Sequence, residues 1–269
     1  MHLNLKKITF LLVFIFLWRN NYLFSYEDNF VQLRSEHFIV YYRQDVSQQH
    51  VSSIVDMLEN FYRLITGEFN LVRDKLWLWE NRTKVYIAKD KKDYLENFKC
   101  PFWSGACVDY KDRIIYTYPD QKNSSLIFAH ELTHIIFREY IKDSPLPCWF
   151  EEGMATYIEH KSTLANQHFD LSSLKKMIQN KKHIKFDELM NISCQELYNL
   201  SESKINIFYL QSFSIINFLI KNYGKDNFTQ LLFYLRSGLN FGEAFSKSFL
   251  SFRTLEELEN KWKKYYTEN

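Results

Sequence analysis

Hydrophobic and polar positions in the first third of the chain follow a strand, helix, strand order. Residues 37–43 (His-Phe-Ile-Val-Tyr-Tyr-Arg) are rich in β-branched and aromatic types and predict a strand. A helix follows, because apolar residues recur there at intervals of three and four. They are Val51, Ile54, Val55, Leu58, Phe61, Tyr62 and Ile65. Gly67 stands where the helix is expected to stop, and residues 84–88 predict the next strand. The chain therefore opens as a β-α-β unit with both strands in one sheet.

A hairpin is predicted after a short polar helix at 90–98. Residues 103–109 and 113–118 flank a turn at Lys111 and Asp112, and Pro119 ends the second segment. One strand of this hairpin is expected to be an exposed edge. Such an edge can bind an extended peptide through backbone hydrogen bonds. The alternative is a sheet edge without a binding role.

The rest of the chain predicts helices. The first of them ends at about Tyr140, and the next begins at Trp149, after Pro145 and Pro147. In this second helix the small residues Gly153 and Ala155 are expected to allow a close approach to the first. Further helical patterns lie at 171–180, 206–223, 225–236, 240–249 and 254–266, with Gly224 and Gly238 as breaks. The predicted fold class is α+β, with an α/β part to about residue 142 and a helical part from about 145.

One segment of the first helix combines apolar and ionisable residues. From 126 to 137 every residue is apolar except His130, Glu131, Thr133 and His134. A helix with this pattern is buried nearly all round, and buried ionisable groups need compensation. At 3.6 residues per turn, His130 and His134 project from one face and Glu131 lies about 100° round from them. Two histidines so placed are typical ligands of a catalytic zinc ion, and a glutamate beside them is typical of its general base.

A catalytic zinc ion takes three protein ligands, and either Glu151 or Glu152 is a candidate for the third. They follow His134 by 17 and 18 residues, which is enough for a helix end, a turn and a return along the first helix. The alternative is that these acids complement the dipole of the second helix. A third histidine, as in the metzincins, is excluded because Phe137 and Tyr140 occupy the positions where glycine and histidine are needed.

Composition allows one large domain. The chain has 269 residues, of which 46% are hydrophobic and 25% charged. Its formal net charge of +2 gives no reason to expect a nucleic-acid partner. The oligomeric state is not predicted.

The first 25 residues resemble a secretory signal peptide, because Lys6 and Lys7 precede an apolar run from Phe10 to Trp18. The run is shorter than the ~20 residues of a membrane-spanning helix. An uncleaved anchor that associates with the membrane is the alternative. We expect an exported protein that is periplasmic, secreted or anchored on the outer side of a membrane.

Four cysteines follow the leader, and in an exported protein they can pair. They are Cys100, Cys107, Cys148 and Cys194. Four cysteines permit three connectivities, and the sequence does not choose among them. Free buried thiols are the alternative.

Two motifs together resemble the gluzincins, in particular the peptidase MA-like family. They are His-Glu-Leu-Thr-His at 130–134 and Trp-Phe-Glu-Glu-Gly-Met-Ala-Thr-Tyr at 149–157. In that family the third zinc ligand immediately precedes Gly-x-Ala, which implies Glu152 and leaves Glu151 without an assigned role. The resemblance implies a zincin-like fold, a single catalytic domain at 26–269 and one catalytic Zn²⁺ held by His130, His134 and Glu152.

The resemblance also implies a zinc metallopeptidase acting on a peptide or protein substrate. Glu131 would take a proton from the attacking water and return it to the leaving amine. Tyr209 resembles a tyrosine that stabilises the oxyanion in related families, and a core tyrosine is the alternative.

One departure from related families limits the substrate. Related aminopeptidases carry a Gly-x-Met-Glu-Asn strand, whereas residues 105–109 are Gly-Ala-Cys-Val-Asp. Aminopeptidase activity is therefore not implied. The alternative function is an exported, peptidase-like binding or assembly module of the cell envelope without hydrolytic activity.

Overall fold

The computed structural model describes most of the chain after the expected leader, which lies outside the described residues. The described ranges are 30–72, 76–100, 104–119, 124–142, 144–162, 171–197 and 199–268. The described residues divide into two compact units, one within Met1–Glu59 and Leu76–Phe128 and the other within Asn60–Lys75 and Ala129–Asn269.

The first unit contains a five-stranded mixed sheet. Its strands are β1 (Phe30–Arg34), β2 (Phe38–Arg43), β3 (Thr83–Ile87), β4 (Ala106–Asp109) and β5 (Ile114–Thr117). They lie in the order β1-β2-β3-β5-β4. The three central strands are parallel, and β1 and β4 are antiparallel at the two edges. The predicted β-α-β opening is confirmed, since β2 and β3 are neighbours in this sheet.

The predicted hairpin is also present, and β4 is its edge strand. Addition of a peptide to that edge stays a prediction. Sequence analysis did not predict β1, whose residues alternate only weakly between half-buried and exposed positions. This strand joins the sheet by antiparallel pairing with β2, and its Phe30 ring makes an edge contact with the ring of Tyr86, at 5.6 Å between centroids.

Two helices accompany the sheet in sequence, α1 (Gln48–Glu68) and α2 (Lys91–Phe98). Gly67 lies in the last turn of α1, one residue before its end. Asp90 caps α2 by accepting a hydrogen bond from the backbone N–H of Asp93.

His37 is buried beside Glu59. One Glu59 oxygen accepts a hydrogen bond from the His37 backbone N–H at 2.8 Å, and the other lies 2.7 Å from Nδ1. Although burial raises the pKa of Glu59, the interactions with His37 and Ser35 together outweigh it and lower that pKa. His37 is therefore a satisfied polar residue of the first unit.

Helices make up the second unit, as the sequence predicted. They are the end of α1 from residue 60, α3 (Ser124–Ile141), which begins in the first unit, α4 (Cys148–Ser162), α5 (Leu171–Gln179), α6 (Phe186–Asn191), α7 (Cys194–Leu197), α8 (Glu202–Arg236), α9 (Phe241–Ser248) and α10 (Leu255–Glu268). The short helices α6 and α7 were not predicted. The predicted break at Gly224 is a non-helical residue inside α8, with φ +86°.

All four cysteines form disulfide bonds. Cys100 pairs with Cys107 in the first unit. In the second unit, Cys148 at the start of α4 pairs with Cys194 at the start of α7, 46 residues away. Of the three connectivities that the sequence left open, the structure has the one in which one disulfide bond closes a short loop and the other a long loop.

The expected role of Gly153 in bringing α4 close to α3 is wrong. A Cβ atom at Gly153 would lie 2.8 Å from the carbonyl oxygen of Ser212 and 3.0 Å from Cγ1 of Ile216, both on α8. Gly153 therefore faces α8 and not α3, the helix that precedes α4 in the sequence. Gly153 permits the close packing of α4 on α8.

Within the part of the chain that the structure describes, the helices are all too short or too polar to cross a lipid bilayer.

We predict that Gly153→Ala lowers the free energy of unfolding by about 1–3 kcal/mol, because the added methyl group overpacks the contact with α8. Chemical denaturation measures this change. The control is Gly67→Ala, where the added Cβ meets no atom of the described residues within 4 Å. This control should raise stability by about 0.5 kcal/mol, since alanine favours the helix. Equal effects of the two substitutions would contradict the packing account.

Candidate metal centre

The two histidines of the α3 motif are buried and adjacent. His130 and His134 are 8% and 6% exposed, and their ring centroids lie 4.9 Å apart. They are one helical turn apart, so both side chains project from the same face of α3. The apolar residues around them place this turn in the interior of the second unit.

Helix α4 brings a carboxylate to the two imidazoles. Oε2 of Glu152 lies 3.3 Å from Nε2 of His130, and Oε1 lies 3.8 Å from Nε2 of His134. One ligand atom from each of the three residues lies within 4.8 Å of the others. The structure therefore brings together the two histidines and one of the two acids that the spacing proposed.

The neighbouring acid, Glu151, faces Arg138 instead. Its Oε1 lies 3.1 Å from Nη2 of Arg138, which follows His134 by one helical turn. Burial raises the pKa of Glu151 to about 7, although Arg138 opposes this shift. Of the two candidates for a third ligand, only Glu152 lies against the histidines.

Glu131 is fully buried on α3. Its charge is one of the causes that raise the pKa of His130, so its carboxylate lies within electrostatic reach of that imidazole. The helical geometry places it about 100° round from the histidine pair. It is therefore beside the candidate metal position.

Tyr209 of α8 also lies at this centre. Its side chain lies near Glu152 and helps to lower the pKa of that carboxylate, and its ring centroid is 6.5 Å from that of His130. The residue is 6% exposed. Sequence reasoning proposed it as an oxyanion donor or a core tyrosine. The structure places it beside Glu152, the candidate third ligand, and its catalytic role stays a prediction.

Glu159 is a site residue that sequence reasoning missed. Its Oε2 lies 3.3 Å from Nδ1 of His130, the ring nitrogen that does not face Glu152. Glu159 follows Glu152 by seven residues, which places both acids on one face of α4 two turns apart. That spacing was visible in the sequence and was not used.

The protonation preferences of two of the three candidate ligands, His134 and Glu152, suit a metal. Burial raises the pKa of Glu152, but His134 and His130 outweigh it and lower that pKa to about 2. Burial lowers the pKa of His134 to about 3. His130 differs, because Glu152 and Glu159 raise its pKa although burial lowers it. Glu152 is ionised and His134 neutral at pH 7, which are the forms that bind a metal.

One buried atom tests whether these residues fit a cation. Oε2 of Glu152 is buried and has no hydrogen bond of good geometry among the described residues, although Nε2 of His130 is 3.3 Å away. A buried polar atom in this state is costly. A divalent metal held by His130, His134 and Glu152 would satisfy it, so the donor set fits a metal centre.

A family model described as the Peptidase MA superfamily matches residues 83–268. No curated protein sequence matches this chain. Two solved structures of yeast LTA4 hydrolase resemble it. The native enzyme has a TM-score of 0.50 and 14% identity over 88% of this chain and 38% of the other. Its complex with bestatin has a TM-score of 0.49 and 12% identity over 88% and 39%.

The chain thus spans about two fifths of the length of these solved structures. At such low identity the likeness shows the fold alone. The expected zincin-like α+β fold, which is of the metallopeptidase type, is confirmed.

We predict that Glu159→Gln weakens Zn²⁺ binding by about 10–100-fold, because Nδ1 of His130 loses the charged group that orients the ring. Competition with a chelator of known affinity measures the change. Glu80→Gln, an exposed acid in the first unit, is the control and should leave the affinity unchanged. If Glu159→Gln and Glu80→Gln bound Zn²⁺ with equal affinity, the proposed role of Glu159 in orienting His130 would be contradicted.

Proposed function

Because this chain belongs to the Peptidase MA superfamily, we propose that it is a zinc-dependent peptidase of the gluzincin type. The observation that supports this most is the convergence of His130, His134 and Glu152 on one buried position. Two imidazoles and one carboxylate are a common donor set of catalytic zinc, which keeps a fourth position open.

His130, His134 and Glu152 would hold one Zn²⁺. When bound, the ion supplies a Lewis acid that polarises the scissile carbonyl and acidifies the attacking water. Glu152 contributes its negative charge to the ligand set. Glu159 keeps the His130 ring in place from the opposite nitrogen.

Glu131 moves the proton in this proposal. Its carboxylate accepts a proton from the attacking water and then donates it to the leaving amine, as general base and then general acid. Full burial of Glu131 keeps bulk water from competing for that proton. Glu131 lies beside the histidine pair and is not one of the three proposed ligands, so its carboxylate would face the attacking water rather than the metal.

Tyr209 is the proposed donor to the developing oxyanion. Its side chain lies beside Glu152 and His130. The hydroxyl would donate a hydrogen bond to the substrate oxygen as negative charge develops there.

The proposed substrate is a peptide or a protein, and no nucleic-acid partner is proposed. The absence of Met-Glu-Asn from residues 105–109 gives no support for an aminopeptidase. We also propose export to the periplasm, the exterior or the outer side of a membrane. Disulfide bonds persist in oxidising compartments, and one is present in each unit.

We predict that Tyr209→Phe lowers kcat by about 10²–10³-fold with little change in KM, because the lost hydroxyl acts in the transition state. Steady-state kinetics on a cleaved peptide measure both constants. If Tyr209 were only a core residue, the variant would keep its kcat.

The central prediction is that Glu131→Gln still binds about one Zn²⁺ per chain but loses peptide hydrolysis, because the amide cannot accept the proton. Metal analysis and cleavage of a mixed peptide library measure the two properties. His134→Ala is the matched variant, and it should lose zinc as well as hydrolysis.

Undiminished cleavage by Glu131→Gln would contradict the assigned mechanism. If the unsubstituted protein binds no zinc when given excess metal, the alternative of a non-hydrolytic binding or assembly module of the cell envelope is favoured.

A further inference from the structure

The disulfide between Cys148 and Cys194 lies directly beside the acid of the candidate metal centre. The two sulfur atoms and a carboxylate oxygen of Glu152 all lie within 4.8 Å of one another. Cys148 precedes Glu152 by four residues on α4, so their side chains share one helix face. Cys194 reaches the same place from the start of α7. Glu152 thus belongs to two clusters of metal-binding residue types.

While the disulfide bond is intact, the sulfur atoms of the second cluster cannot bind a metal. Zinc binds cysteine as the thiolate, and a sulfur atom in a disulfide bond cannot take that form. Reduction changes this, because two electrons and two protons convert the S–S bond into two thiols. With a phosphine as reductant, water supplies the oxygen of the phosphine oxide and the two protons. The thiols then lose these protons when they bind a metal.

We propose that Cys148, Cys194 and Glu152 form a second metal site that is available only in the reduced protein. The proposal rests on the proposed function for the role of Glu152 as a ligand beside His130 and His134. Since both sites use the Glu152 carboxylate, a metal held by the cysteines draws that carboxylate away from the histidines. Oxidation of the cysteines thereby completes the peptidase site.

The position of the sulfur atoms supports reversible reduction. Cys148 is buried, but Cys194 is partly exposed, so a small reductant can approach the bond from the side of α7. Thiolates are softer ligands than imidazole or carboxylate and compete well for zinc. The other pair, Cys100 and Cys107, has no histidine or acid within the same reach among the described residues. That pair is the internal control.

The experiment uses Co²⁺ as the probe, because thiolate ligands give its complexes a strong charge-transfer absorption in the near ultraviolet. The full chain carries Cys100→Ser and Cys107→Ser, so the only remaining sulfur ligands among its cysteines are Cys148 and Cys194. The oxidised protein should bind about one Co²⁺ without this absorption. After treatment with the phosphine and its removal without oxygen, it should bind about one Co²⁺ with the absorption. Reoxidation should reverse the change.

Further variants separate the two sites. His130→Ala with His134→Ala should abolish Co²⁺ binding by the oxidised protein and keep the thiolate absorption of the reduced protein. Cys148→Ser should remove that absorption and leave binding by the histidine site in the presence of reductant. Failure of the oxidised parent protein to bind Co²⁺ counts against the proposed function, whereas the reduced histidine variant tests the cysteine site by itself.

The proposal is overturned if the reduced histidine variant binds Co²⁺ without the thiolate absorption, or does not bind it. It is also overturned if the absorption survives Cys148→Ser. Circular dichroism of the reduced protein supplies the last criterion. Loss of the helical signal would contradict the proposal, because the donor set needs the folded positions of α4 and α7.

Discussion

A carboxylate held against two imidazoles in the protein interior is the interaction on which the second unit depends. His130, His134 and Glu152 are each less than a tenth exposed, and burial of such groups is costly unless they compensate one another. In the structure they do so only in part, since one oxygen of Glu152 lacks a hydrogen bond of good geometry among the described residues. A bound cation would complete the compensation. The three groups that a cation would compensate are also suitable ligands for it.

The position of Glu152 is fixed by contacts on several sides of α4. Trp149 and Phe150 are fully buried just before it, and Gly153 lies against the backbone of Ser212 on α8. Tyr209, also on α8, lies near the carboxylate and helps to lower its pKa. The Cys148–Cys194 bond holds the start of the same helix. The chemistry of the site thus depends on packing that involves neither histidine.

Local pattern predicted much of this molecule, because strand and helix periods report which faces are buried. The parallel pairing of β2 with β3 and the helical second unit followed from it. Features that depend on tertiary contacts did not. Gly153 was assigned to the wrong neighbour, β1 has too weak an alternation, and the partners of the four cysteines depend on loop paths. Glu159 lay two helical turns from Glu152 and needed only the helix geometry to be found, whereas the choice of Glu152 over Glu151 rested on family resemblance until the contacts with Arg138 and the histidines were known.

X-ray diffraction from crystals of the zinc-loaded oxidised protein, recorded on either side of the zinc absorption edge, tests the central claim most directly. The account predicts one anomalous peak, about 2.0–2.2 Å from a nitrogen of His130, a nitrogen of His134 and an oxygen of Glu152. A zinc peak at any other group of residues, with none at these three, would contradict it.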